Sequence, residues 1–114
     1  MNASRSLEQA NSLMREGRYA EAVNAFRFAA EEFPDISSSG LSECFFYLKD
    51  YDAAMVCANQ LLGVEKFRGR CHHLRGLIYE KKGELNLARG EYELGMRYGE
   101  EASTNRLHRL GAKS

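Results

Sequence analysis

Net charge is the first thing this chain lacks. Sixteen lysines and arginines stand against 16 aspartates and glutamates in 114 residues, so no bulk pull toward nucleic acid or an anionic membrane is expected. No run of about 18 apolar residues occurs, which leaves nothing to insert across a bilayer. The opening MNASRSLEQAN is polar where a secretory leader would be apolar. Cysteine is sparse and odd in number: Cys44, Cys57 and Cys71 form no CxxC and cannot all pair. Free thiols in a reducing, cytoplasmic setting are expected. Proline occurs once, at Pro34, so strong helix breaking is expected at one place only.

What is present is helical periodicity. Leu7, Ala10, Leu13 and Met14 draw an apolar stripe on a first helix capped by Ser4 or Ser6 and ending at Gly17. A second helix runs from about Arg18 to Phe33 and is stopped by Pro34. Asp35 to Gly40 reads as turn and cap, with a third helix starting within Ser37 to Ser39 and continuing through LSECFFYLK. The fourth, YDAAMVCANQLL, is expected to end at Gly63 in a left-handed cap. No clear pattern covers Val64 to Arg70. The fifth spans about Arg70 to Lys82, Gly83 turns the chain, and ELNLARGEYELGMRY forms the sixth. Leu107 and Leu110 mark a short closing helix over 103–110.

The hairpin turns repeat: GRYAEA at Gly17 to Ala22, KDYDAA at Lys49 to Ala54, GELNLA at Gly83 to Ala88. Tyr19 precedes Tyr51 by 32 residues, and Tyr51 precedes Leu85 by 34. In that register Ala10, Ser42 and Gly76 are all small, Leu13, Phe45 and Tyr79 are all large, and Ala22, Ala54 and Ala88 coincide. Small residues are needed where two helices cross closely, and a bulky neighbour fills the adjacent gap.

This pattern resembles the tetratricopeptide repeat, with units at approximately 3–34, 35–68 and 69–102. The resemblance implies one all-α domain over 1–114, a helical-hairpin solenoid of three repeats with a C-terminal capping helix. The absence of Trp and the Ala at position 58, where the family carries Phe or Tyr, make the second repeat the loosest match.

The resemblance also implies that the first helix of each pair lines a concave surface where a protein or peptide lies. By register the inward positions include Leu7, Asn11 and Met14, then Glu43, Phe46 and Tyr47, then Arg70, His73, Leu74 and Leu77. Relatives that grip the C-terminal carboxylate of heat-shock chaperones would place their five polar clamp residues at Leu7, Asn11, Gly40, Arg70 and Leu74. Only Asn11 matches and only Arg70 substitutes. An apolar groove for an amphipathic helix or extended apolar segment is expected instead, although a one-residue shift in register would turn several of these positions into core. The implied role is an assembly adaptor or chaperone. Its architecture is similar to the small type III secretion chaperones of needle or translocator subunits. The competing expectation is a self-associating scaffold, with homo- and hetero-oligomers both open.

Catalytic chemistry finds no support. Cys71, His72 and His73 are adjacent, so on a helix they point about 100° apart and cannot converge on one metal ion. No orienting carboxylate or oxyanion site accompanies a Cys-His pair, and the glycines from Gly69 to Gly83 follow no strand as a phosphate loop would. No enzyme activity, cofactor or metal is expected. The arginines and lysines of the C-terminal half are offset by neighbouring glutamates, which gives a mixed surface rather than a nucleic-acid patch.

Overall fold

The computed structural model describes residues 2–112, and the regular structure among them is helical. Seven α-helices follow in order: α1 (Ala3–Arg15), α2 (Tyr19–Ala29), α3 (Pro34–Tyr47), α4 (Tyr51–Asn59), α5 (Arg68–Lys81), α6 (Leu85–Arg97) and α7 (Glu101–Ala112). A 3-10 turn lies at Glu65–Phe67. The chain divides into two compact units, the first up to Gln60 with α1 to α4 and the second from Leu61 with α5 to α7. No described helix is long and apolar enough to cross a membrane.

One turn is used four times. The amide of Gly17 donates to the carbonyl of Met14 and that of Arg18 to Leu13; the same pair of bonds recurs from Lys49 and Asp50, from Gly83 and Glu84, and from Gly99 and Glu100. This closure satisfies the last carbonyls of a helix and needs one residue in the left-handed region. Gly17, Gly83 and Gly99 supply it with φ of 75°, 80° and 83°, whereas the second turn forces Lys49 to 66°.

Several helix boundaries differ from the sequence expectation. Asn2, not Ser4 or Ser6, caps α1, its side chain accepting from the Arg5 amide at 2.8 Å. Pro34 does not stop the second helix, which ends at Ala29; it opens α3 instead. At a helix's first position its fixed φ is suitable and its missing N–H has no intrahelical partner to lose. The expected turn from Asp35 to Gly40 is therefore helical, with Ser37 and Gly40 buried. A Cβ on Gly40 would stand 2.3–2.6 Å from the Phe26 ring, so this glycine serves close packing of α3 on α2 rather than a turn. The fourth helix ends at Asn59, and Gly63 does not take a left-handed φ. The closing helix is longer than 103–110, running Glu101–Ala112.

The two units are filled differently. The first packs Ala10, Leu13, Ala22, Val23, Phe26, Leu41, Cys44 and Cys57 into one apolar cluster. Ser42, at a small-residue crossing, donates its hydroxyl to the Ala54 carbonyl at 2.9 Å. All three cysteines are buried free thiols; burial, with Cys57 nearby, pushes Cys44 up to about 11, so it stays protonated and inert. The second unit buries Leu61, Cys71, Leu74 and Ile78 and a cluster of Ala88, Tyr92 and Leu110, with Leu77, Tyr79 and Leu107 against it. Polar links run beside it: the Tyr92 hydroxyl donates to Glu80 at 2.9 Å, Arg106 also donates to Glu80, and Glu91 meets His72 at 2.8 Å and Arg75 at 3.0 Å.

Candidate functional site

In the first unit, α3 carries Ile36, Glu43 and Tyr47 at i, i+7 and i+11, which sets them on one side of the helix. Ile36 is 46% exposed and Tyr47 54% exposed. Tyr47 is nevertheless held in place. Its ring stacks on Tyr19 with centroids 4.8 Å apart and planes 16° from parallel, and Phe46 meets it edge-on at 5.3 Å. Phe46 in turn lies 5.9 Å from Tyr51. On α1, Asn11 is exposed, while Leu7 and Met14 are half-buried and pack against the unit's apolar cluster. Glu43 is half-buried on the Tyr47 side. The turn chemistry explains the aromatic grouping: Tyr19 and Tyr51 are the first residues of α2 and α4, directly after the repeated turns. These two rings support the face but were not among the residues that the repeat register pointed to, since they open the second helix of each pair.

In the second unit the register positions have a different surrounding. Arg70 pairs with Glu100 at 3.7 Å, and burial lowers its pKa while Glu100 opposes that shift. His73 and Leu74 are buried. The His73 Nδ1 lies 3.1 Å from the Ser103 hydroxyl, and its ring is 5.7 Å from that of Tyr92. Burial, reinforced by the positive charges of Arg70 and Arg106, lowers His73 to about 4, so its imidazole is neutral at physiological pH. Leu77 is half-buried against Ala88, Tyr92 and Leu110. None of His73, Leu74 or Leu77 is offered to solvent as Tyr47 is. The signal for this cover lies in α7, whose Ser103, Arg106, Leu107 and Leu110 recur at i, i+3, i+4 and i+7.

The Cys71-His72-His73 run diverges as helical geometry requires: His72 turns to Glu91 and stacks on Tyr98, whereas His73 turns to Ser103. Among the described residues no three His, Cys, Asp or Glu side chains are grouped to hold a metal ion.

Comparison with known proteins follows the same lines. A tetratricopeptide repeat profile matches residues 7–62. The TPR repeat-containing protein MJ1428 of Methanocaldococcus jannaschii is 32% identical over 82 residues, covering 70% of this chain. The chain spans only 14% of that protein's length. Among solved structures, the first TPR of Spaghetti (RPAP3) bound to the HSP90 peptide SRMEEVD aligns over 97% of this chain and 91% of its own, with a TM-score of 0.81 and 19% identity. The first TPR domain of human RPAP3 aligns over 96% and 90%, with a TM-score of 0.83 and 19% identity. Likeness at that identity speaks for the fold.

Proposed function

Because the chain belongs to the tetratricopeptide repeat family, we propose that it is a non-catalytic protein-interaction module whose first unit takes an apolar segment of a partner, either one face of an amphipathic helix or an extended strand. The observation that carries this reading is Tyr47: a large ring more than half exposed, yet fixed by stacking on Tyr19. A rigid, amphipathic, exposed ring loses little entropy when a partner covers it. Ile36 lies on the same side of α3 beyond Glu43, while Leu7, Met14 and Phe46 are half-buried apolar positions of the same register. Burying Tyr47 and Ile36 contributes roughly 1.5–3 kcal/mol each at most, and the half-buried Leu7, Met14 and Phe46 add less, against an association cost of about 4–15 kcal/mol, so the binding expected is micromolar or weaker.

The structural neighbour with a bound HSP90 peptide invites comparison with its acidic ligand, SRMEEVD. In this chain the register positions for gripping a carboxylate are Leu7, Gly40 and Leu74, which have no side-chain donor, together with Asn11 and Arg70. Gly40 lies under Phe26 and Arg70 is engaged by Glu100. An apolar ligand therefore fits this chain better than an acidic tail. An adaptor or chaperone in the cytoplasm is the setting that best suits such a face and three reduced thiols.

The test is selection of peptide ligands by display on the full chain, followed by titration against variants. Tyr47→Asp and Ile36→Asp should each weaken a selected peptide by roughly tenfold or more, with Leu87→Asp, on α6, leaving it unchanged. Peptides that bind the folded Tyr47→Asp chain as tightly as the parent would refute the reading. A second reading, self-association, is favoured by Leu85, Leu87 and Met96 on α6, all exposed. Light scattering that reports a monomer at high concentration eliminates it.

A further inference from the structure

Helix α7 is tied to the second unit by polar links as well as by two leucines. Ser103 meets His73, Arg106 donates to Glu80, and Glu100, just before the helix, pairs with Arg70. Both ion pairs stay partly open to water, with side-chain exposures of 29% and 21% for Arg106 and Glu80, and 33% and 25% for Arg70 and Glu100. A pair this accessible adds at most about a fivefold factor to an equilibrium. The large apolar contribution of α7 is two side chains, Leu110, which is buried, and Leu107, which is half-buried. Asn105, His108 and Arg109 face solvent. An element held by few buried apolar contacts opens more readily than the core around it, and α7 is joined to α6 only by Tyr98, Gly99 and Glu100.

Beneath it lies a complete receptor for a helix. Gly95 makes room for Ser103: a Cβ on residue 95 would stand 2.3 Å from the Ser103 Oγ. Glu80 receives a cation, and Leu77, Tyr79, Ala88 and Tyr92 receive the two leucines. His73, 3.1 Å from the Ser103 hydroxyl, completes the covered surface. We propose that α7 is an intramolecular occupant of a helix-binding face on α5 and α6, and that a partner's amphipathic helix carrying a small residue, an arginine and two leucines at i, i+3, i+4 and i+7 displaces it. The second unit is then closed until such a helix competes, while the face around Tyr47 is open throughout. This goes beyond the first unit's proposed function and uses none of its residues, so either can fail alone.

The probe is a fluorescent synthetic peptide of residues 100–112, EEASTNRLHRLGA, added to the full chain. Its binding should strengthen at least roughly tenfold when the chain carries Leu110→Asp, which loosens the resident helix, and should be lost when Leu107 and Leu110 of the peptide are both alanine. Arg106→Ala in the chain, which removes only the tie to Glu80, gives the same direction more weakly and guards against loss of folding in the aspartate variant. Hydrogen exchange on the unaltered protein supplies the second readout: α7 amides should exchange faster than those of α5, and faster still at saturating peptide. Equal protection of α5 and α7, or peptide binding that neither variant strengthens, overturns the proposal.

Discussion

The first unit packs its core with apolar side chains and leaves the fixed ring of Tyr47 exposed; the second covers His73 and Leu77 with an extra helix and runs ion pairs beside them. At one register position the first unit has exposed Glu8 on α1 and buried Gly40 on α3, whereas the second has buried Leu74 on α5. The contrast teaches that a repeat register specifies which side of a helix a residue is on, but not whether that side is wet. Neighbours decide that. Within the first unit the same point can be made by shifting 32 positions: Ser37, Gly40, Leu41 and Cys44 of α3 are buried, while Arg5, Glu8, Gln9 and Ser12 of α1 are exposed and polar.

The comparison can be broken most forcefully at the large rings that fill each unit. Phe26, 1% exposed and seated over Gly40, should cost about 3–5 kcal/mol when changed to Ala. In the second unit the matching ring is Tyr92, whose hydroxyl serves Glu80; Tyr92→Phe keeps the ring and should cost only about 0.5–1.5 kcal/mol. Urea unfolding separates the two, and equal losses would mean that polar links hold the second unit no differently from apolar packing.

Acid should sharpen the difference next. His73 is lowered from 6.5 in the unfolded chain to about 4 in the folded one, so the unfolded state takes up its proton first. The stability linked to neutral His73 is fully present above about pH 6.5 and is lost as pH falls toward 4, by roughly 2–3 kcal/mol in all. Amide exchange followed from pH 7 to 4.5 should show α5 to α7 loosening through this window, and His73→Leu should remove that component.

Smaller effects test the first unit. Ala22 is fully buried at the crossing of α1 and α2, and Ala22→Leu should overpack it by about 1–3 kcal/mol, read as a lower urea midpoint. Lys49→Gly relieves the one non-glycine left-handed residue of the four equivalent turns and should raise stability by about 0.5–1 kcal/mol. A destabilised Lys49→Gly chain would show that the lysine side chain contributes more than its backbone strain removes.

Much of the fold was legible because it follows from local spacing. Ala10, Ser42 and Gly76 share a column and are all buried, and the turns at Gly17, Lys49 and Gly83 share one hydrogen-bond pattern. Helix starts were harder to read. Pro34 and the serines after it are signals of both a stop and a start; in the folded chain Pro34 opens α3 and Gly40 packs beneath Phe26. Of the inward residues, Tyr47 emerged exposed, whereas His73 and Leu74 did not.

The sequence by itself determined the all-α architecture and the repeat period, because helical periodicity and small-residue crossings are properties of residues a few positions apart. Tertiary structure alone decided which of those residues meet solvent. The environment of His73 is made by Ser103, 30 positions later, together with Tyr92 and the charges of Arg70 and Arg106. Burial is a collective property of helices brought together by folding, and no spacing within α5 records the arrival of α7.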